Sequence, residues 1–352
     1  ALAEPVAWAA ARRRPALGWR ALQLVIAAAV AAPLIALFPY LFHSAGDYWD
    51  HALTNTLPEM VSNTVLLLAG VGAGTIIGGV AAAWLVTMCR FPGRGLFEWA
   101  LILPLSMPAY VMAYVYTDLL QFAGPVQTML RALTGWQHGD YWFPRIHSLG
   151  GAVLMFIMVL YPYVYLLARS AFLAQSICVI DVGRTLGCGP WAVFFRVALP
   201  LARPAIVAGA ALALMEALAD YGTVAYFGVP TFTTGIYRAW FSYGNHVAAA
   251  QLSVILLLFA FGLLLTERWA RGDRRFHHTS RRYRPLPNYA LQGWRAAAAF
   301  VVCLVPIVLG FLLPAGVLFG HLMDSTQLPY PPRYLEFARN SLLLASVAAV
   351  VS

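Results

Sequence analysis

The chain has 352 residues, 61% of them hydrophobic and only 11% charged, with a mean hydropathy of +0.72; an ordinary soluble domain carries about 25% charged residues. Its net charge of +9 rests on arginine alone, because the sequence has no lysine, and this excludes a Walker A phosphate loop, which needs a lysine to reach the β- and γ-phosphates. The composition is that of an all-α integral membrane protein, and with no HExxH and no GxSxG it carries no enzyme motif.

In chain order, residues 1–20 form a basic segment containing Arg12, Arg13, Arg14 and Arg20, followed by an apolar run at 21–42. Its 22 residues exceed the about 7–15 of a secretory signal core, so the run reads as a retained transmembrane helix. Six further runs, at 63–89, 96–122, 149–168, 205–227, 247–267 and 296–320, match the roughly 20 residues that cross about 30 Å of hydrocarbon. Pro104, Pro108 and Pro162 fall inside the third and fourth spans, where the loss of a helix hydrogen bond predicts bends. The last run, 341–351, is too short to span and reads as part of an eighth helix in which the chain stops. With the amino terminus inside, 18 of the 23 arginines fall in inner segments and five in outer ones, as the positive-inside rule requires. The basic stretch 269–295 lies between two spans, so it reads as a topology signal touching anionic lipid and not as a nucleic-acid arm.

An internal repeat organises these spans. Asn63-Thr64-Val65-Leu66-Leu67-Leu68-Ala69 recurs as Asn340-Ser341-Leu342-Leu343-Leu344-Ala345. Six spans separate the copies, an even number, so the repeat is parallel and implies two equivalent halves around a central path. The expected organisation is a first half at 21–268, a basic cytoplasmic linker at 269–295, and the start of a second half at 296–352, within a complete protein nearly twice this size.

Ionisable groups inside a membrane cost at least about 2.5–3.5 kcal/mol at the centre, which makes them functional candidates. Glu216 and Asp220 stand four residues apart in the fifth span and are expected to share a helix face. Tyr110, Tyr114 and Asp118 form an i, i+4 line in the third span, and Tyr161 and Tyr165 have the same spacing in the fourth. Two readings stand for the acids, a path lined with carboxylate and phenol oxygens or hydrogen bonds that hold helices together. The cysteines Cys89, Cys178, Cys188 and Cys303 have no CxxC spacing and read as unpaired structural residues.

The loop 170–203, between the fourth and fifth spans on the inner side, is the most informative segment. A helix at 171–186, a turn at Gly187 and a second short helix from Pro190, with Trp191, Phe194, Phe195 and Ala198 on an apolar face, are expected, stopped by Pro200 and Pro204. Here the sequence resembles the permeases of binding-protein-dependent ABC importers, whose motif is E-A-A, three residues, G, nine residues, I, any residue, L-P. This chain reads Asp181-Val182-Gly183, then Gly187, then Val197, Leu199 and Pro200 at that spacing, with Asp for Glu, Gly for the second Ala and Val for Ile. The resemblance implies that this segment docks on a cytoplasmic ABC ATPase dimer and couples it to the pore, with ATP and Mg on that partner and no cofactor in this chain.

A finer resemblance runs through Ser106-Met107-Pro108-Ala109-Tyr110, Leu160-Tyr161-Pro162-Tyr163-Val164-Tyr165, the run 215–223 and the run 231–237. These look like the two-half, MetI-like permeases of the ferric-iron importer branch, to which thiamine and aminoethylphosphonate permeases are similar. The resemblance implies six helices per half and a bacterial inner membrane. It implies a periplasmic substrate-binding protein that delivers ferric iron, with no tightly bound metal. The outer docking face is expected at 231–246 and 123–147, with Arg238 best suited to an acidic partner. The rival class is an ion-gradient-driven secondary transporter using Glu216 and Asp220.

Overall fold

The computed structural model describes residues 17–137, 140–174, 189–271, 289–324 and 332–351. Among the described residues fifteen α-helices follow one another: α1 (Leu17–Leu37), α2 (Tyr48–His51), α3 (Leu57–Met88), α4 (Arg94–Ala100), α5 (Ala109–Leu120), α6 (Pro125–Thr134), α7 (Leu149–Ala174), α8 (Pro190–Val193), α9 (Leu199–Ala219), α10 (Gly222–Tyr226), α11 (Phe232–Tyr237), α12 (His246–Arg271), α13 (Trp294–Ile307), α14 (Leu313–Asp324) and α15 (Pro332–Val351). Six helical stretches among the described residues are long and apolar enough to cross a membrane, and α4 to α6 form a seventh that is broken by an 89° bend. These are the seven expected spans.

The long helices alternate in direction, so the bundle has an end carrying α2 and an end carrying β1 (Cys89–Arg90), which pairs in parallel with β2 (Tyr289–Ala290). At its centre α7 is squeezed between α3 and α9, where glycines allow backbones to meet. A Cβ on Gly79 would lie 2.9 Å from the Tyr161 carbonyl oxygen, and one on Gly209 would lie 2.7 Å from Val164 Cα. Any side chain at either position forces the spans apart. The stretch α13–α14 packs onto the same bundle: Cys303 is buried, Phe300 meets Phe97 edge-on at 5.1 Å, and Tyr116 donates to the Leu309 carbonyl at 2.6 Å. A wide turn at Val308–Leu312 brings that carbonyl to the tyrosine. Helices α1 and α15 expose nearly all of their residues.

The bend expected of the third span at Pro104 and Pro108 is present as a full break, where a 3-10 turn at Leu103–Ser106 is followed by extended Met107 and Pro108. The helix of the fifth span ends at Ala219, short of the expected residue 227: Asp220 turns to extended backbone while its N–H still reaches the Glu216 carbonyl at 3.1 Å. Pro200 and Pro204 do not stop the short helix, which continues from Trp191 to Ala219 as one stretch. The wide π-turn Phe194–Ala198 precedes Pro200 and already departs from the i to i−4 pattern, so the missing N–H costs little.

Candidate functional site

The polar groups in the spans divide into an exposed set and a buried set. Glu216 is exposed on α9, beside Ala213 and Ala217, which are in the core. On α5, Tyr110 and Tyr114 are exposed at 57% and 45%, while Met112 and Ala113 face inward. Tyr163 of α7 lies within electrostatic reach of Glu216, and Tyr110 packs over Gly222, whose Cβ would sit 3.3 Å from its own. Tyr221 adds a further exposed phenol, stacked on Tyr237 at 4.3 Å. No basic residue occurs in α5 or α10, nor in α9 beyond Arg203. A half-bundle thus shows one carboxylate and several phenols on a face bordering the core of α5, α7 and α9.

Asp220 and Asp118 have protein partners. Asp220 Oδ1 accepts the Thr223 backbone N–H at 2.8 Å and so caps α10, while its carbonyl accepts the Thr233 hydroxyl at 2.9 Å. Asp118 lies 3.3 Å from His321 Nε2, tying α5 to α14. Among the described residues no three His, Cys, Asp or Glu side chains gather closely enough to hold a metal ion.

Tyr161 and Tyr165 are buried, away from this face. Tyr161 donates to the Leu101 carbonyl at 2.7 Å and Tyr165 to the Glu98 carbonyl at 2.9 Å. One turn further along α7, Arg169 pairs with the Glu98 carboxylate at 3.1 Å, and Arg94 flanks the same carboxylate at 3.5 Å. Glu98 and Arg169 were not among the residues expected to matter, although the i, i+4, i+8 line of Tyr161, Tyr165 and Arg169 is visible in the sequence. At the β1 end, Cys89 is buried.

Also at the β1 end is the segment expected to couple to a partner. Asp181, Val182, Gly183 and Gly187 lie outside the described residues, as do Cys178 and Cys188. Val197 and Leu199 are half-buried and Pro200 is exposed. The expected single apolar face is split. Phe194 turns inward to within 4.7 Å of the Trp84 ring, and Val193 and Ala198 are buried with it. Trp191 and Phe195 stack on each other at 6.2 Å and point out, 71% and 59% exposed.

At the α2 end, a recess of about 190 Å³ is lined by Tyr48, His51, Thr56, Met60, Gly235, Arg238 and Tyr243. Its walls are fixed: Thr231 and Thr234 form a capping box at the start of α11, and Gln251 bonds the carbonyls of Tyr40 and His43 at 2.9 Å. Arg238 is exposed and has no acidic partner among the described residues. A larger recess of about 610 Å³ lies under 120–147 and includes Arg145 and His147.

Comparison with known proteins agrees with this architecture. Residues 70–271 match the family described as binding-protein-dependent transport system inner membrane component. The chain is 24% identical over 300 residues to a Haemophilus influenzae protein named Fe(3+)-transport system permease protein FbpB 2, covering 84% of this chain and 55% of that one. The chain thus spans about half the length of that relative. It is 32% identical over 197 residues to the Escherichia coli molybdenum transport system permease protein ModB, covering 54% of this chain and 83% of ModB. In fold it is similar to a chain of the bacterial alginate ABC transporter, with a TM-score of 0.54 at 16% identity over 71% of this chain and 92% of that one. With more than half of its length matched, this multi-pass membrane chain belongs to the family of binding-protein-dependent transport system inner membrane components.

Proposed function

We propose that the chain is the permease of an ATP-driven importer in a bacterial inner membrane, and that it passes ferric iron by alternating access. The β1 end, rich in arginine, faces the cytoplasm, and the α2 end faces the periplasm. The exposed pair Trp191 and Phe195 gives a separate ATPase an aromatic anchor of the kind that dominates protein interfaces. A delivering protein docks on the α2 end, where Arg238 awaits a carboxylate.

The observation that carries the cargo reading is the face of exposed Glu216, Tyr110, Tyr114 and Tyr221 with half-buried Tyr163 beside them, which has hard oxygen donors and, among the described residues, no ion-pair partner for Glu216. Such donors favour a hard cation. Molybdate or sulfate would meet an uncompensated negative charge there. The face touches cargo in passing and does not hold it, since one carboxylate is too few for tight coordination.

The test is uptake into proteoliposomes containing the full-length permease, its ATPase and trapped ATP, with iron presented on the delivering protein. Iron uptake that requires ATP and is indifferent to excess molybdate is expected. Uptake driven by an ion gradient without ATP, or transport of molybdate in place of iron, overturns the reading. For the docking recess, Arg238→Glu is expected to raise the half-saturating concentration of the delivering protein by about tenfold or more. An unchanged value moves the docking site elsewhere.

A further inference from the structure

Three polar contacts tie the fourth span to the first part of the broken third span, and they fall on one line. Tyr161, Tyr165 and Arg169 occupy successive turns of α7 and reach, in order, the Leu101 carbonyl, the Glu98 carbonyl and the Glu98 carboxylate. The two carbonyls are free for a local reason. Where α4 tightens, the Ile102 N–H turns to the Trp99 carbonyl at 3.1 Å and the Leu105 N–H to the Ile102 carbonyl at 3.0 Å. The i to i+4 acceptors at Glu98 and Leu101 therefore lose their helical donors. The phenols replace those donors in a buried setting, where an unpaired carbonyl would be costly.

Beyond this seam the chain runs straight into function at both ends. Five residues past Arg169, α7 leads into the 175–188 stretch on the way to Trp191 and Phe195. In the other direction, extended Met107 and Pro108 join the 3-10 turn to α5, which carries Tyr110 and Tyr114. On the permease reading above, we propose that the seam makes α4, the 3-10 turn and α7 one rigid body, which transmits displacement of the Arg169 end of α7 to the joint at Met107 and Pro108. Glu98 and Arg169 are its positioning residues, and α5 is the element they re-aim.

The experiment uses the full-length permease with its ATPase in proteoliposomes, reading hydrolysis stimulated by the iron-loaded delivering protein and iron moved per ATP. Arg169→Gln and Tyr165→Phe are each expected to lower both readings, Arg169→Gln on the order of tenfold, as for a lost charge-assisted hydrogen bond. The exchange Glu98→Arg with Arg169→Glu, made together with Arg94→Gln so that no like charge flanks the new arginine, restores the pair with reversed polarity, and is expected to recover most of the stimulation lost in Arg169→Gln. Wild-type values in both single variants overturn the proposal, and so does a loss that the exchange fails to recover. If the wild-type complex itself shows no stimulated hydrolysis, the permease reading falls and the proposal falls with it.

Discussion

Glu216→Gln is expected to lower iron uptake by about a hundredfold while leaving the yield of assembled complex unchanged. The substitution keeps the size and hydrogen-bonding capacity of the side chain and removes only its charge. A carboxylate held within a span at a cost of at least about 2.5–3.5 kcal/mol is justified by an interaction of similar size with the passing cation, and that energy corresponds to roughly two powers of ten. Glu216 is exposed on the half-bundle, and among the described residues it has no ion-pair partner. Asp220→Ala is the useful contrast, because Asp220 caps α10 and the loss of that cap should show first in stability. Wild-type uptake by Glu216→Gln would return Glu216 to the role of a packing residue.

The second large effect concerns the outward aromatic pair. Trp191→Asp is expected to weaken association with the ATPase by at least about thirtyfold, as for a central aromatic anchor at an interface. Trp191 is 71% exposed, so the free permease loses little packing when it is replaced. Its neighbour Phe194 makes the control. That ring is buried against Trp84, so Phe194→Asp should impair insertion and folding, whereas Trp191→Asp should leave both intact. Co-purification of the ATPase separates the two. Retained association in Trp191→Asp would remove the pair from the interface.

The spans were legible because length and apolarity alone decide what can cross a bilayer, and each of the seven expected runs has its helix or broken helix. The ends of the spans were less legible. Apolar character continues past Ala219 through Val224 and Phe227, so hydropathy extends the fifth span beyond the point where Asp220 caps a new helix. Pro104 and Pro108 signalled a bend, but its 89° size depends on the neighbours that satisfy the opened backbone. Tyr161 and Tyr165 looked like path residues because their spacing matches Tyr110 and Tyr114. Only the freed carbonyls of Leu101 and Glu98, a tertiary feature, turn them inward. Likewise the π-turn at Phe194–Ala198 divides one apolar face in two, and no periodicity announces it.

The stretch from Tyr289 to Asp324 is held to the preceding bundle by a two-residue strand pairing, an edge-on ring contact, a tyrosine donating to a bared carbonyl, and a histidine beside an aspartate. None of these attachments depends on the peptide bonds of the arginine-rich connection before it. Whether nature supplies the two pieces joined or as separate polypeptides, this helix has its own address on the first, and assembly is encoded in contacts distributed along its whole height.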